Sequence, residues 1–355
     1  MKPVNQQAIA DALNLSRATV SRCFTNHPGI NPETRANVFE MASRIGYNHI
    51  SMRSSNSSTK RTRPIFGVLI CSKEEEYHRM DYESPGKLLL KGVSEYCQLA
   101  KVGISVHFVD PDVHSIQHPE YRNLLTTVGR TWSGLLLLYP FPKPVIDELL
   151  IRMPCVSLVE QRSSGDLDCV DVNHYQGIAL LINKLHTLGH DRIGFYTKAY
   201  QTEASWSLRR FGAYTEKMTQ LDIPILERDL INAQPRNIVS LNDSFDLAEE
   251  RIRDGVTAYV CAADHQAYDL IRELEKRGIR TPDDVSITGF DGIPAPNGKP
   301  QLSTVQIPYR NIGYAAAKRL SDLLKKRFGP SQHILMSCQL LDGQTLNKPR
   351  PGPLE

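Results

Sequence analysis

No stretch of about eighteen uninterrupted apolar residues occurs in this chain, so no membrane span is expected. The N-terminus, "MKPVNQQAIADALNL", has no long apolar core and does not read as a secretory signal. Seven cysteines (23, 71, 97, 155, 169, 261 and 338) are odd in number, scattered and without a CxxC pair. That argues against a disulfide framework and for reduced thiols in a cytoplasmic protein. Signatures of catalysis are missing as well: there is no GxSxG, no P-loop and no GxGxxG. "HTLGH" (186–190) and "HSIQH" (114–118) space two histidines at i, i+4, but neither carries the glutamate of HExxH. Gly189 is expected to end a helix there and turn His190 off its face. Nothing pairs carboxylates for glycoside hydrolysis. No metal, cofactor or enzymatic activity is expected.

What is present is an ordinary soluble composition, 41% apolar and 23% charged, in 355 residues, enough for two or three domains. The net charge of +3 conceals an asymmetry. Residues 1–63 hold nine Lys/Arg and three Asp/Glu, leaving 33 basic against 36 acidic residues for the rest. A basic head on a mildly acidic body suggests that the head meets an anion, nucleic acid first, with a solvated basic arm as the alternative.

Three short helices can be read in the head. Ala8, Ile9 and Ala12 lie at helical spacing over 5–12. Ser16 is a good N-cap for a second helix reaching about Phe24. "NPET" (31–34) starts a third, with Asn31 as cap, Pro32 at the first position and Glu33 favouring the dipole; Val38, Met41, Ala42 and Ile45 form its apolar stripe. On the second helix, Arg17, Ala18, Ser21 and Arg22 fall within one arc of about 140°. Val20, Cys23 and Phe24 lie on the other side, where Cys23 reads as a core thiol. A short helix with small and cationic side chains on its free face, following a turn after another helix, can lie in a DNA major groove.

Residues 48–63, "NHISMRSSNSSTKRTR", are polar and basic and read as a linker. Beyond them short β-branched runs recur: "IFGVLI" (65–70), "ISVHFV" (104–109), "GLLLLY" (134–139), "CVSLVE" (155–160), "RIGFYT" (192–197), "AYVCAAD" (258–264) and "VSITGFD" (285–291). Helical stretches between several of them (86–100, 174–188, 207–220, 243–253, 265–277) imply parallel sheets covered on both faces, in two α/β lobes.

The segment "VNQQAIADALNLSRATVSRCFTNHPGINPETRANVFEMASRIGY" resembles the DNA-binding head of the LacI/GalR family, through "IA", "LS…ATVSR" and "P.I…TR..V...A...GY". "VDVNHYQGIALLINKLHTLGHDRIGF" (170–195) and residues 261–320, including "CAAD", "GFD" and "QLSTV", resemble the family's effector domain. The resemblance implies a helix-turn-helix head (1–47), a linker or atypical hinge (48–63), and two Rossmann-like lobes of the periplasmic-binding-protein type (64–343). The lobes would divide as about 64–162 with 292–322, and about 163–291 with 323–343; residues 344–355 are read as a loose tail. It further implies a homodimeric transcriptional repressor that binds a pseudo-palindromic operator in double-stranded DNA. A small-molecule effector, a sugar or sugar derivative, would modulate its affinity. The alternatives are a solute-binding protein without DNA function and a sugar-processing enzyme on the same scaffold.

By the same resemblance Arg17, Ala18 and Arg22 read base edges, and Ser16, Thr19, Ser21, Asn26 and Thr34 are candidates for phosphate contacts. Arg209, three residues before Gly212, matches the arginine that grips effector oxygens, with Arg210 expected to face solvent. Asp264, Glu160 and Phe290 end predicted strands, where open α/β sheets place ligands. Trp206 would stack on a sugar or pack, Asp291 reads as structural, and Tyr82 and Ser84 sit where relatives place first-loop contacts. One departure stands out. The family's hinge carries a leucine that wedges into the minor groove; here that position is Asn56, and the hinge proline position is His49. A polar side chain is a poor wedge.

Overall fold

The structure is a computed structural model. It describes residues 5–25, 27, 29–45, 47, 63–73, 84–199, 205–234, 238–325, 330–352 and 354. Asn26, Asn56, His49 and Tyr82 therefore lie outside the described residues.

The head folds into three helices, α1 (Gln6–Ala12), α2 (Arg17–Phe24) and α3 (Pro32–Arg44). Each starts on a side-chain cap that fills otherwise orphaned backbone donors: Asn5 accepts from Ala8 N, Ser16 from Thr19 N and Asn31 from Glu33 N. The turn between α1 and α2 holds Asn14 at φ 52°, a left-handed conformation that asparagine tolerates. Ile9, Ala10, Val20, Cys23, Val38 and Ala42 make the head's core, with Phe24 against Phe39 (ring centroids 5.5 Å) and Tyr47 (5.4 Å).

The chain divides into two units, Met1–Asp171 with Tyr309–Ile334, and Val172–Pro308 with Leu335–Glu355. The first therefore holds the head and one α/β lobe. That lobe is built from β1 (Ile65–Cys71), α4 (Pro85–Leu99), β2 (Gly103–Val109), α5 (Pro119–Thr126), β3 (Gly134–Leu138), α6 (Lys143–Arg152), β4 (Cys155–Leu158), β5 (Asp168–Val172) and α11 (Tyr309–Leu324). Its sheet has the order β11-β5-β4-β3-β1-β2, with β11 at His333–Met336 and parallel pairing from β2 through β5. The strands are buried on both faces, as their near-continuous apolar runs require. α4 and α11 cross at two glycines: a Cβ on Gly92 would stand 1.8 Å from the Arg310 carbonyl, and one on Gly313 2.0 Å from that of Leu89.

The second lobe follows the same plan. It comprises α7 (His174–Leu188), β6 (Ile193–Tyr196), α8 (Ser205–Gln220), β7 (Leu230–Ile231), α9 (Leu241–Arg253), β8 (Ala258–Cys261), α10 (Asp264–Lys276) and β9 (Ser286–Thr288). Its parallel sheet runs β7-β6-β8-β9, beside an antiparallel pair of β10 (Thr304–Gln306) and β12 (Gln339–Leu341). In both sheets the first strand is internal and the second lies at the edge beside it, so the strand order reverses beside the first strand. Open α/β sheets bind ligands beyond the carboxyl ends of strands at such a point.

Two sequence readings need correction. The C-terminal segment is not loose. Thr345 is fully buried, its carbonyl accepts from Ile287 N, and its hydroxyl donates to the Ile287 carbonyl. Asn347 N donates to Ser286 Oγ, and the Arg350 guanidinium donates to the carbonyls of Asp284 and Ile252. The segment is thereby stitched across the second lobe. The unit boundaries also fall later than the sequence suggested, because β5 joins the first sheet and α11 belongs wholly to the first lobe. Gly189 does end α7, in a left-handed conformation at φ 99°, and His190 turns into the lobe. Its imidazole there meets Thr257 Oγ1 at 2.8 Å and the Asn347 carbonyl at 2.9 Å.

Candidate nucleic-acid interface and ligand site

On α2 the wheel resolves as two faces. Val20 and Cys23 are fully buried, whereas Arg17, Ala18 and Arg22 are exposed. Burial raises the Cys23 thiol to about 11, so it stays protonated and serves as packing. Ser16 is exposed at the helix start, and its hydroxyl meets that of Thr19 at 2.9 Å. Thr19, Ser21 and Thr34 are half-buried. A capped helix N-terminus with a pair of arginines on one open face offers an anion both backbone N–H groups and charge.

Arg35 was not singled out by the sequence, although it stands in the matched "TR" pair. It is 1% exposed, and its guanidinium donates to the carbonyls of Cys23 (3.1 Å) and His27 (2.8 Å). α3 thus grips the C-terminal end of α2 through a charge-assisted contact.

The second lobe has a polar cluster at the carboxyl ends of its strands, and its centre is not the expected arginine. Arg210, expected to face solvent, is 4% exposed. Its guanidinium donates to the Ala262 carbonyl just past β8 at 2.5 Å and to His174 Nδ1 at 3.2 Å, and lies 3.5 Å from Asp291 Oδ1. It stacks 3.9 Å above the Phe290 ring and 4.6 Å from that of Trp206. The reason is helical phase. Arg210, Ala213, Tyr214 and Met218 form the buried stripe of α8, and Arg209, one residue back, sits 100° away and half-buried.

Asp264 is fully buried, with its carboxylate accepting from the Thr304 hydroxyl (2.6 Å) and from Ile293 N (2.9 Å). Burial, reinforced by the Asp291 carboxylate, pushes its pKa up. That geometry ties the β9 and β10 loops to α10 and gives Asp264 a structural task where a ligand contact was expected. Asp291 takes the opposite place: it is half-buried, pairs with Arg210, and its Oδ2 accepts from Asp264 N at 3.3 Å. Phe290 is fully buried beneath Arg210, with the His174 ring 5.9 Å from its own. The sequence reading set Arg210 on the solvent side and took Asp291 as structural; His174 it did not single out, and that residue is recognisable only by its place directly after the β5–α7 turn.

The remaining candidates belong to the first lobe. Ser84 is 2% exposed and caps α4 by accepting from Lys87 N, so its hydroxyl is committed. Glu160 is half-buried beyond β4, where its carbonyl accepts from Ser157 Oγ. Among the described residues no group of three or more His, Cys, Asp or Glu could hold a metal ion, and no helix is long and apolar enough to cross a membrane.

Comparison with known proteins matches residues 182–346 to the periplasmic binding protein-like domain. The chain is 23% identical over 321 residues to catabolite control protein A of Priestia megaterium, covering 90% of this chain and 92% of that protein. Among solved structures it is similar to the lac repressor dimer bound to operator and the anti-inducer ONPF (18% identity, TM-score 0.64, 98% of this chain and 100% of that one). It is also similar to a complex of the transcriptional regulator CelR with cellobiose (19% identity, TM-score 0.64, 97% and 100%). The likeness spans head and both lobes together.

Proposed function

The chain belongs to the LacI/GalR family, and on that premise we propose that it is a sequence-specific transcriptional repressor whose operator affinity is set by a small-molecule effector. The observation that carries this reading is α2. Arg17, Ala18 and Arg22 share one open face, on a head with nine basic and three acidic residues up to position 63. Arginine forks suit guanine and alanine suits a thymine methyl, so these three read bases. Ser16, Thr19, Ser21, Asn26 and Thr34 set the register on phosphates. A cytoplasmic homodimer would present two such heads to a pseudo-palindrome.

The effector is a sugar or sugar derivative. The Arg210–Asp291–His174 cluster lies at strand carboxyl ends and holds Trp206 and the neighbouring Arg209 beside it, and a forked donor next to an aromatic face suits hydroxyl-rich rings. The complex of a similar protein with cellobiose supports the same class. Arg209 and Glu160 are the further polar candidates; Ser84 and Asp264 act through the scaffold.

Fluorescence anisotropy on a library of palindromic fragments, at fixed salt, tests the DNA reading: sequence-preferring, salt-sensitive binding is expected. Binding of equal strength to every fragment, or none at all, would overturn it. A thermal-shift screen of sugars tests the effector class, because a ligand of the folded state raises the melting temperature.

A further inference from the structure

α3 is buried on two faces, and only one of them belongs to the head. Val38 and Ala42 face the head's core, and Arg35 grips α2. On a helical wheel Ala36 and Glu40 point the other way, with Glu33 at their edge, while Phe39 lies between the two faces and packs on Phe24. Ala36 and Glu40 are also buried, at 5% and 7% exposure. What covers them is the first lobe, where α3 packs on α4 and β2.

The register of this contact is fixed at three points. Glu40 Oε1 lies 3.8 Å from Lys87 Nζ, and Glu33 Oε2 lies 3.1 Å from Lys91 Nζ. Beyond them Gly29–Pro32 face Glu95, Gln98 and Leu99 across a groove of about 340 Å³. Rising position on α3 meets falling position on α4, so the two helices run antiparallel, with carboxylates i, i+7 set against lysines i, i+4. Two of the head's three acidic residues are neutralised here. Arg17, Ala18 and Arg22 remain exposed.

We propose that this contact is a latch that orients the head before DNA arrives: α3 docks on α4 of its own lobe through Glu33–Lys91 and Glu40–Lys87, leaving the reading face outward. The inference rests on the DNA-binding reading above. It supplies an alternative to the hinge, whose usual leucine position is Asn56 in this chain. A docked head starts in a binding-competent orientation. A released head, tethered through residues 48–62, would be competent only part of the time, and its apparent affinity falls by that fraction.

The first test needs no DNA. The full-length protein, mixed as isotopically labelled and unlabelled chains, is treated with a zero-length carbodiimide and mapped by mass spectrometry. A Glu33–Lys91 amide within one chain is expected, alongside the control pair Lys184–Asp342, which lies at 2.8 Å in the second lobe. The control amide without the Glu33 amide overturns the latch. The second test is operator affinity. Glu33→Lys adds a positive charge to the head, so simple charge attraction would tighten binding. The latch instead requires it to weaken, by at least about tenfold for a competent fraction of a tenth. Lys91→Glu should weaken binding likewise, and the double variant Glu33→Lys/Lys91→Glu should recover it, because the pair is restored in reverse. Tighter or unchanged binding by Glu33→Lys, or a double variant as weak as the singles, overturns the proposal. If the wild-type chain prefers no operator, the repressor reading fails on its own account, and the cross-link still decides whether the head is docked.

Discussion

Replacing Arg210 by alanine separates the scaffold of the proposed ligand site from its proposed contacts. The wild-type guanidinium is 4% exposed and serves the Asp291 carboxylate, the Ala262 carbonyl and His174 Nδ1, while stacking on Phe290. Truncation leaves Asp291 in a site where its side chain is 12% exposed. Breaking one side of a buried pair costs about 3–5 kcal/mol. The carbonyl left behind would add about 1–3 kcal/mol if wholly orphaned, but the terms share one solvent-accessible hole and do not add in full. The expected loss is therefore about 3–5 kcal/mol, a large part of the about 5–15 kcal/mol that holds a domain. Arg210→Lys keeps the charge without the fork and should fall between. Arg209→Ala, on a half-buried side chain off the stripe, should cost about 1 kcal/mol or less and lose effector binding all the same. The chain has two tryptophans, Trp132 in the first lobe and Trp206 in the second, so a Trp132→Phe background makes urea unfolding of the second lobe visible by fluorescence. If Arg210→Ala stays within about 1 kcal/mol of its parent, or Arg209→Ala costs as much, the assignment of structural and contact roles to the two arginines is wrong.

Three further outcomes follow from the geometry. Arg22→Ala should cost about 1–3 kcal/mol on the preferred operator and relax the preference at one base pair; a uniform loss on every sequence, with a shallower salt slope, would make Arg22 a phosphate contact instead. Burial holds His190 below its ordinary 6.5, and a folded-state pKa below the unfolded one means that its stabilising contribution is complete above about 6.5 and is lost as pH falls. The second lobe's urea midpoint should therefore drop between pH 7.5 and pH 5 more in wild type than in His190→Gln; equal slopes would show that the imidazole between Thr257 and Asn347 does not control the C-terminal segment. Gly92→Ala drives a Cβ to 1.8 Å from the Arg310 carbonyl, and backbone cannot step aside as a side chain does. A loss of about 2 kcal/mol or more in the first lobe, followed through Trp132, is expected, and a neutral result would show that α4 and α11 do not cross so closely.

The head was legible because its signals are local. Ser16 and Asn31 sit within three residues of the backbone donors they satisfy, and the stripe of α3 can be counted along a single helix. Continuous apolar runs likewise gave β1, β3 and β8. β5 was not visible, because "DCVDV" looks unlike a buried strand until its partners are known. Asp168 accepts from Arg319 Nε at 2.6 Å, 151 positions away, and Asp171 accepts from Gln161 Nε2 at 2.8 Å. A charged residue in a core strand is tolerated where a distant element neutralises it, and that element cannot be inferred from the strand itself.

The candidate ligand site was half legible for a related reason. Strand ends can be found from sequence, so Asp264, Phe290 and Asp291 were all in view; which carboxylate turns inward is decided by Thr304, which follows in a later element. The arginine pair carried more information than a motif match extracts. Ala213, Tyr214 and Met218 fall at three, four and eight residues after Arg210, so the apolar periodicity of α8 already selects Arg210 for its buried face. The match to the family selects Arg209, by distance from Gly212. The two answers are compatible once their questions are separated. Periodicity says which side chain the lobe holds, and the motif says which one is left to meet a ligand. A cation fixed there by Asp291 and Phe290 supports the proposed site from below, with Arg209 as its proposed contact, and for that reason the two substitutions should fail in different assays.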